Sequence, residues 1–156
     1  ENPDARMWFS LQGITRDTRP ARVRAARPAF DALIAQAVAA QGVAGHLDRV
    51  AFVGFSQGAI MALDAVASGR WPVGAVVAAS GRFATEDIAA PQTPALILHG
   101  DADMAVPPDE GQNALACLRA TGCPAQMTLL PGMAHFVGPE AAAMAGTFLR
   151  ETLIGT

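Results

Sequence analysis

Three short stretches of this 156-residue chain carry side chains that together can cleave a carboxylic ester. Gly54-Phe55-Ser56-Gln57-Gly58 follows the apolar run 50–53 and precedes a helix-like stretch, so Ser56 is expected on a sharp turn from strand to helix. Glycines two residues before and two after the serine fit such a turn, because a β-carbon at either place is expected to collide with neighbouring backbone. The serine itself is then held in a strained backbone conformation with its hydroxyl exposed. A serine hydroxyl is a poor nucleophile at neutral pH and needs an imidazole to take its proton. His135, which ends Pro131-Gly132-Met133-Ala134-His135, is the candidate base. A carboxylate must orient that imidazole and stabilise its positive charge, and His99-Gly100-Asp101-Ala102-Asp103 offers two. Asp101 lies beside a strand end, where it suits a turn cap, and this favours Asp103.

The chain order Ser, Asp, His is that of the α/β-hydrolase triad and differs from the orders of the chymotrypsin and subtilisin folds. Each residue comes after a predicted strand, and in open α/β sheets ligands gather beyond the carboxyl ends of the strands. For the oxyanion of a tetrahedral intermediate, the turn offers the backbone N–H of Gln57. A second donor normally comes from a loop after an earlier strand, and no such loop precedes Ser56. Trp8, Met104 and Phe136 are candidates to line an acyl pocket, although apolar residues of this kind also serve simple packing. His99, at a strand end, reads as a satisfied core histidine, and His46 as a loop or cap residue.

The elements that must position these groups are set by periodicity. Residues 1–19 have little regular period and predict a short strand or anchored loop. Helical spacing of Val23, Ala26, Phe30, Leu33, Ile34, Ala37 and Val38 predicts a helix from Pro20 to about Gln41, which Pro28 kinks or starts. Strands are expected at 50–55, 73–79, 95–98 and 125–130, and helices at about 58–67, 109–120 and 139–153. The run 73–79 is apolar without alternation, as in parallel strands buried on both faces. Strands alternating with helices predict one domain over residues 1–156, a three-layer α/β/α fold with a mostly parallel sheet and right-handed crossovers.

Composition narrows the function class. The chain is 51% hydrophobic with a mean hydropathy of +0.27, and no run reaches the roughly 18 apolar residues of a membrane span, so stable membrane insertion is not expected. A net charge of -3 gives no electrostatic reason to expect nucleic acid as a partner. All eleven basic residues are arginine, which by association points to a GC-rich bacterial source. Arg16, Arg19, Arg22, Arg24 and Arg27 read as a solvated helix face. Cys117 and Cys123 make neither a metal-ligand pattern nor a disulfide framework and suit reduced thiols in a cytoplasmic protein, and no metal site is expected. Residues 1–6 lack the cationic start and apolar core of a secretion signal.

Trp8-Phe9-Ser10, Gly54-Phe55-Ser56-Gln57-Gly58, the stretch from His99-Gly100-Asp101-Ala102-Asp103 to Val106-Pro107, and Gly132-Met133-Ala134-His135 together resemble the phospholipase/carboxylesterase family, which includes the acyl-protein thioesterases. The resemblance runs over essentially the whole chain. It implies Ser56, Asp103 and His135 as the triad of an α/β-hydrolase fold, no cofactor, and a small-molecule ester or thioester as substrate. Members of that family begin with additional strands and a His-Gly loop carrying the other oxyanion donor, so by resemblance the chain is an N-terminally truncated form of the fold. Two readings result: a serine carboxylester hydrolase working through an acyl-enzyme on Ser56, or a catalytically silent or truncated module with an incomplete oxyanion hole. An uncovered parallel edge would also invite self-association into a homo-oligomer. A dienelactone-hydrolase-like enzyme would share the fold but normally uses a cysteine nucleophile, against which Ser56 speaks.

Overall fold

The computed structural model describes residues 7–155, and the reading of residues 1–6 lies outside this range. Helix α1 spans Arg19–Ala40, β1 Ala51–Phe55, α2 Gln57–Ala67, β2 Ala75–Ala79, β3 Ala95–Gly100, α3 Pro108–Ala120, β4 Ala125–Leu130 and α4 Pro139–Leu153. The four strands form one parallel sheet in the order β1-β2-β3-β4. Strands β2 and β3 are buried at every position, as the apolar runs 75–79 and 95–98 require. Helices α1, α2 and α3 cover one face through Phe52, Val76, Ala78 and Ile97. Helix α4 covers the other through Val77, Leu96, Leu98 and Leu130, completing the expected three layers.

Two local expectations are refined. The region before α1 contains no strand among its described residues and is an anchored loop, with Arg22 donating to the carbonyls of Ser10 and Gln12 at 2.6 and 2.7 Å. Helix α1 begins at Arg19 and runs through Pro28, which forfeits one backbone bond without ending the helix. What compensates is tertiary packing of Val23, Ala26 and Phe30, flanked by Trp8 and Phe52 in edge-on ring contacts.

Beneath α1 a carboxylate is fully buried. Asp64 of α2 accepts two bonds from Arg27 at 2.8 and 3.0 Å, one from Arg70 at 2.9 Å and one from the Thr85 hydroxyl at 2.7 Å. Arg27 also reaches Asp87, and Arg24 pairs with Glu86, so the long connection between β2 and β3 is tied to α1. Burial opposes the charged form of Asp64, but the bonds from Arg27, Thr85 and Arg70 outweigh it and hold the carboxyl below its usual range.

A carboxyl lowered on folding contributes stability that is present above its unfolded pKa, about 3.9, and is lost as pH falls through the lower folded value. Asp64→Ala should therefore destabilise the fold by about 3–5 kcal/mol at neutral pH, because it strands two partly buried guanidinium groups. Urea unfolding at pH 7 and pH 3 checks this: the deficit of the variant should shrink at the lower pH, and an equal deficit at both would disprove the assignment.

Candidate functional site

The parallel direction of the strands brings every strand-to-helix loop out at one edge of the sheet, and three of these loops carry the predicted groups. Ser56 sits between β1 and α2 with φ 52° and ψ -116°, a left-handed conformation that costs a non-glycine residue about 1–3 kcal/mol. Its N–H donates to the Ala79 carbonyl at the end of β2, and its own carbonyl accepts from Ile60, so the turn is anchored on both sides. The residue is half-buried. A β-carbon at Gly54 would run into the backbone of Gly58 and Ala59, whereas one at Gly58 would meet nothing within 4 Å. The expected collision thus holds for the first glycine of the pattern and fails for the second. Gly58 is the surface that Gly54 approaches, and its own hydrogen points into open space.

His135 lies in the loop between β4 and α4. Its Nε2 is 3.1 Å from the Ser56 hydroxyl and its Nδ1 is 2.8 Å from Oδ2 of Asp103. An anionic carboxylate only accepts, so Nδ1 carries the proton and Nε2 is free to accept from Ser56. The ring also packs against Phe55 at a tilt of 40°, with centroids 4.8 Å apart. Asp103 is 2% exposed; its other oxygen accepts from the N–H groups of Ala105 and Val106 at 3.0 and 2.8 Å. Burial pushes this carboxyl up, but the Val106 N–H, His135 and the Ser80 hydroxyl, which faces it without completing a hydrogen bond, bring it below the usual carboxylate range.

Of the two aspartates, Asp103 meets the imidazole, and Asp101 caps a turn other than the expected one, its own. Asp101 is exposed and accepts from the Gly132 N–H at 2.6 Å, so the turn it caps is that of the His135 loop. Gly100 makes this docking possible, since a β-carbon there would strike the Met133 carbonyl; the Ala102 N–H instead donates to that carbonyl at 3.2 Å. The Gln57 N–H opens α2 and belongs to the first-turn amides that a helix leaves without internal partners.

The pocket residues separate. Met104 is 91% exposed on the loop of Asp103, and Phe136, half-exposed, follows His135. Trp8 instead packs its ring on Phe30 with centroids 5.1 Å apart. Its link to the turn is its backbone: the Gln57 side-chain oxygen accepts from the N–H groups of Trp8 and Phe9 at 2.9 and 3.4 Å, and its amide donates to the Phe9 carbonyl at 3.0 Å. Sequence reasoning uses only the Gln57 backbone, and no local pattern signals a clamp between residues 48 and 49 positions apart. His99 departs from the expectation of a satisfied core histidine, because its Nδ1 is buried without a partner.

The asymmetry of the turn is testable. Gly58→Ala should leave stability within about 1 kcal/mol of the parent, since a helical glycine gains from the change. Gly54→Ala should prevent the turn from closing. Thermal unfolding of the two variants side by side checks this, and equal losses would contradict it.

The profile of the Phospholipase/Carboxylesterase family matches residues 1–153. Esterase YpfH of Escherichia coli (strain K12) is 31% identical over 153 residues, covering 97% of this chain and 65% of its own length. An acyl-protein thioesterase 1 homolog of Dictyostelium discoideum is 26% identical over 94% of this chain and 67% of its own. The crystal structure of esterase PE8 superposes with a TM-score of 0.85 at 33% identity, covering 97% of this chain and 73% of that one. The chain therefore spans about two thirds of the length of the relatives it matches. On its sequence, its parallel α/β/α architecture and the match along nearly its whole length, the chain belongs to the phospholipase/carboxylesterase family.

Proposed function

We propose that the chain is a serine carboxylester hydrolase that cleaves small carboxylic esters or thioesters through an acyl-enzyme on Ser56. The observation that carries this reading is the unbroken run of hydrogen bonds from Ser56 Oγ through His135 to Asp103, at 3.1 and 2.8 Å. His135 Nε2 takes the hydroxyl proton as Ser56 Oγ attacks the carbonyl carbon, and the Gln57 N–H receives the developing oxyanion. His135 then passes the proton to the leaving alcohol or thiol. Water, deprotonated by the same nitrogen, attacks the acyl-enzyme, and the acid leaves as His135 returns the proton to Ser56 Oγ. Asp103 keeps the proton on Nδ1 and stabilises the imidazolium; its lowered pKa keeps it anionic at neutral pH.

Met104, Phe136 and Phe55 are exposed or half-exposed on or beside the loops of the site and supply an apolar rim for the acyl group. Trp8, turned into the α1 packing, acts in this reading through the segment it anchors. Two unpaired cysteines suit a reducing, cytoplasmic setting. Among the described residues no helix is long and apolar enough to cross a membrane.

One observation favours a second reading, a silent module. The strand that leads into Ser56 is the edge of the sheet, with Val53 64% and Phe55 40% exposed, and among the described residues the turn offers one oxyanion donor, the Gln57 N–H. Labelling with a fluorophosphonate probe, followed by peptide mass spectrometry, separates the two. The hydrolase reading expects covalent modification at Ser56, abolished by Ser56→Ala and cut by about a thousandfold or more by His135→Ala. A folded protein that is not labelled would favour the silent module.

A further inference from the structure

His99 is fully buried near the end of β3, yet only one of its ring nitrogens is used. Nε2 lies 2.8 Å from the Val106 carbonyl, so it carries the proton and donates. The same nitrogen is 3.7 Å from Oδ2 of Asp103. Nδ1 faces helix α3 at Gly111, where a β-carbon would lie 2.6 Å away, and finds no partner. A buried polar atom left unpaired is destabilising, and an apolar side chain would avoid that cost. Packing alone thus gives no reason for a histidine here.

What the ring does is fix the loop behind the carboxylate. Val106 is held by both of its backbone groups: its N–H donates to Asp103 Oδ1 and its carbonyl accepts from His99. The neighbouring Ala105 carbonyl accepts from Arg82 at 3.1 Å, and Arg82 is itself held by Glu110 at 2.7 Å. The Asp103 loop is therefore pinned at two successive carbonyls, from inside by His99 and from outside by Arg82. Without the inner pin, the Val106 N–H would be free to leave the carboxylate, and Asp103 would lose one of the bonds that aim Oδ2 at His135.

We infer that His99 is a positioning residue for ester hydrolysis, clamping Val106 and through it holding Asp103 in line with His135. This rests on the proposed roles of Ser56, His135 and Asp103. The clamp transmits geometry; His99 touches neither substrate nor Ser56 in this role. A misplacement of about 1 Å in such an array costs on the order of a hundredfold in rate.

The test compares His99→Phe, His99→Asn and His99→Gln with the parent protein, using two readouts besides thermal unfolding. One is the rate of fluorophosphonate labelling, resolved into the limiting rate and the concentration for half-saturation. The other is the downfield proton NMR signal of the His135 Nδ1–H held by Asp103, which needs no turnover. His99→Gln can place an amide N–H at the Val106 carbonyl and should keep the signal and label within about fivefold of the parent. His99→Asn is one methylene too short, and with His99→Phe should lower the limiting rate by about ten- to a hundredfold at unchanged half-saturation and lose the signal. Should His99→Phe fail to fold, the Gln and Asn pair decides. Equal rates and signals for that pair would overturn the clamp, as would a folded His99→Phe that matches the parent. A parent protein lacking both labelling and the downfield signal would overturn the reading of the site itself, and the clamp with it.

Discussion

Parallel strand direction is the constraint on which the site depends. Four strands running the same way place Phe55, Ala79, Gly100 and Leu130 at one edge of the sheet, and each chain exit there must turn back across a face. The turn after β1 is the tightest: it drives Ser56 into a left-handed conformation and brings Gly54 against the backbone of Gly58. The turns after β3 and β4 are longer and lean on one another through Gly100, Asp101 and Gly132. Strain at the serine persists because Ala79 and Ile60 hold its two backbone groups. The geometry around Ser56 is thus a by-product of three strand-to-helix turns closing on a shared edge.

Among the described residues two carboxylates are buried, to different ends. Asp64 is surrounded by two arginines and a threonine and joins α1, α2 and the connection after β2 into one body. Asp103 has no arginine; its charge is held by backbone N–H groups and an imidazole. A carboxylate neutralised by guanidinium would orient nothing further, whereas one held by amides keeps an oxygen available for His135. Each buried carboxylate is hydrogen-bonded at both oxygens, as a low-dielectric interior demands.

Much of the architecture is readable from local pattern. The apolar runs mark all four strands and helical spacing marks all four helices, with ends shifted by a residue or two. Gly54-Phe55-Ser56-Gln57-Gly58 announces a strand-to-helix turn because the flanking periodicity changes there from strand to helix. Two details escape local reading. Gly58 looks sterically required in the pattern, but the collision falls on Gly54, since the partner atom is the Gly58 backbone itself. The edge-on contact between the rings of Trp8 and Phe30 is the other, since the two residues lie in different segments.

Local sequence fixes backbone conformation through steric and hydrophobic rules that act over a few residues, and at that range it is sufficient to single out Ser56 and His135 and to favour Asp103 over Asp101. Which aspartate meets the imidazole is a question of side-chain direction across the register of β3 and β4, where 32 residues separate Asp103 from His135 and 79 separate His135 from Ser56. The same holds for the Gln57 clamp on Trp8 and Phe9, the Arg27–Asp64 pair and the half-paired His99. Hydrogen bonds reach about 3 Å, so a partner dozens of residues away comes within range only through tertiary structure. Those partners exist only once the sheet has brought distant loops together.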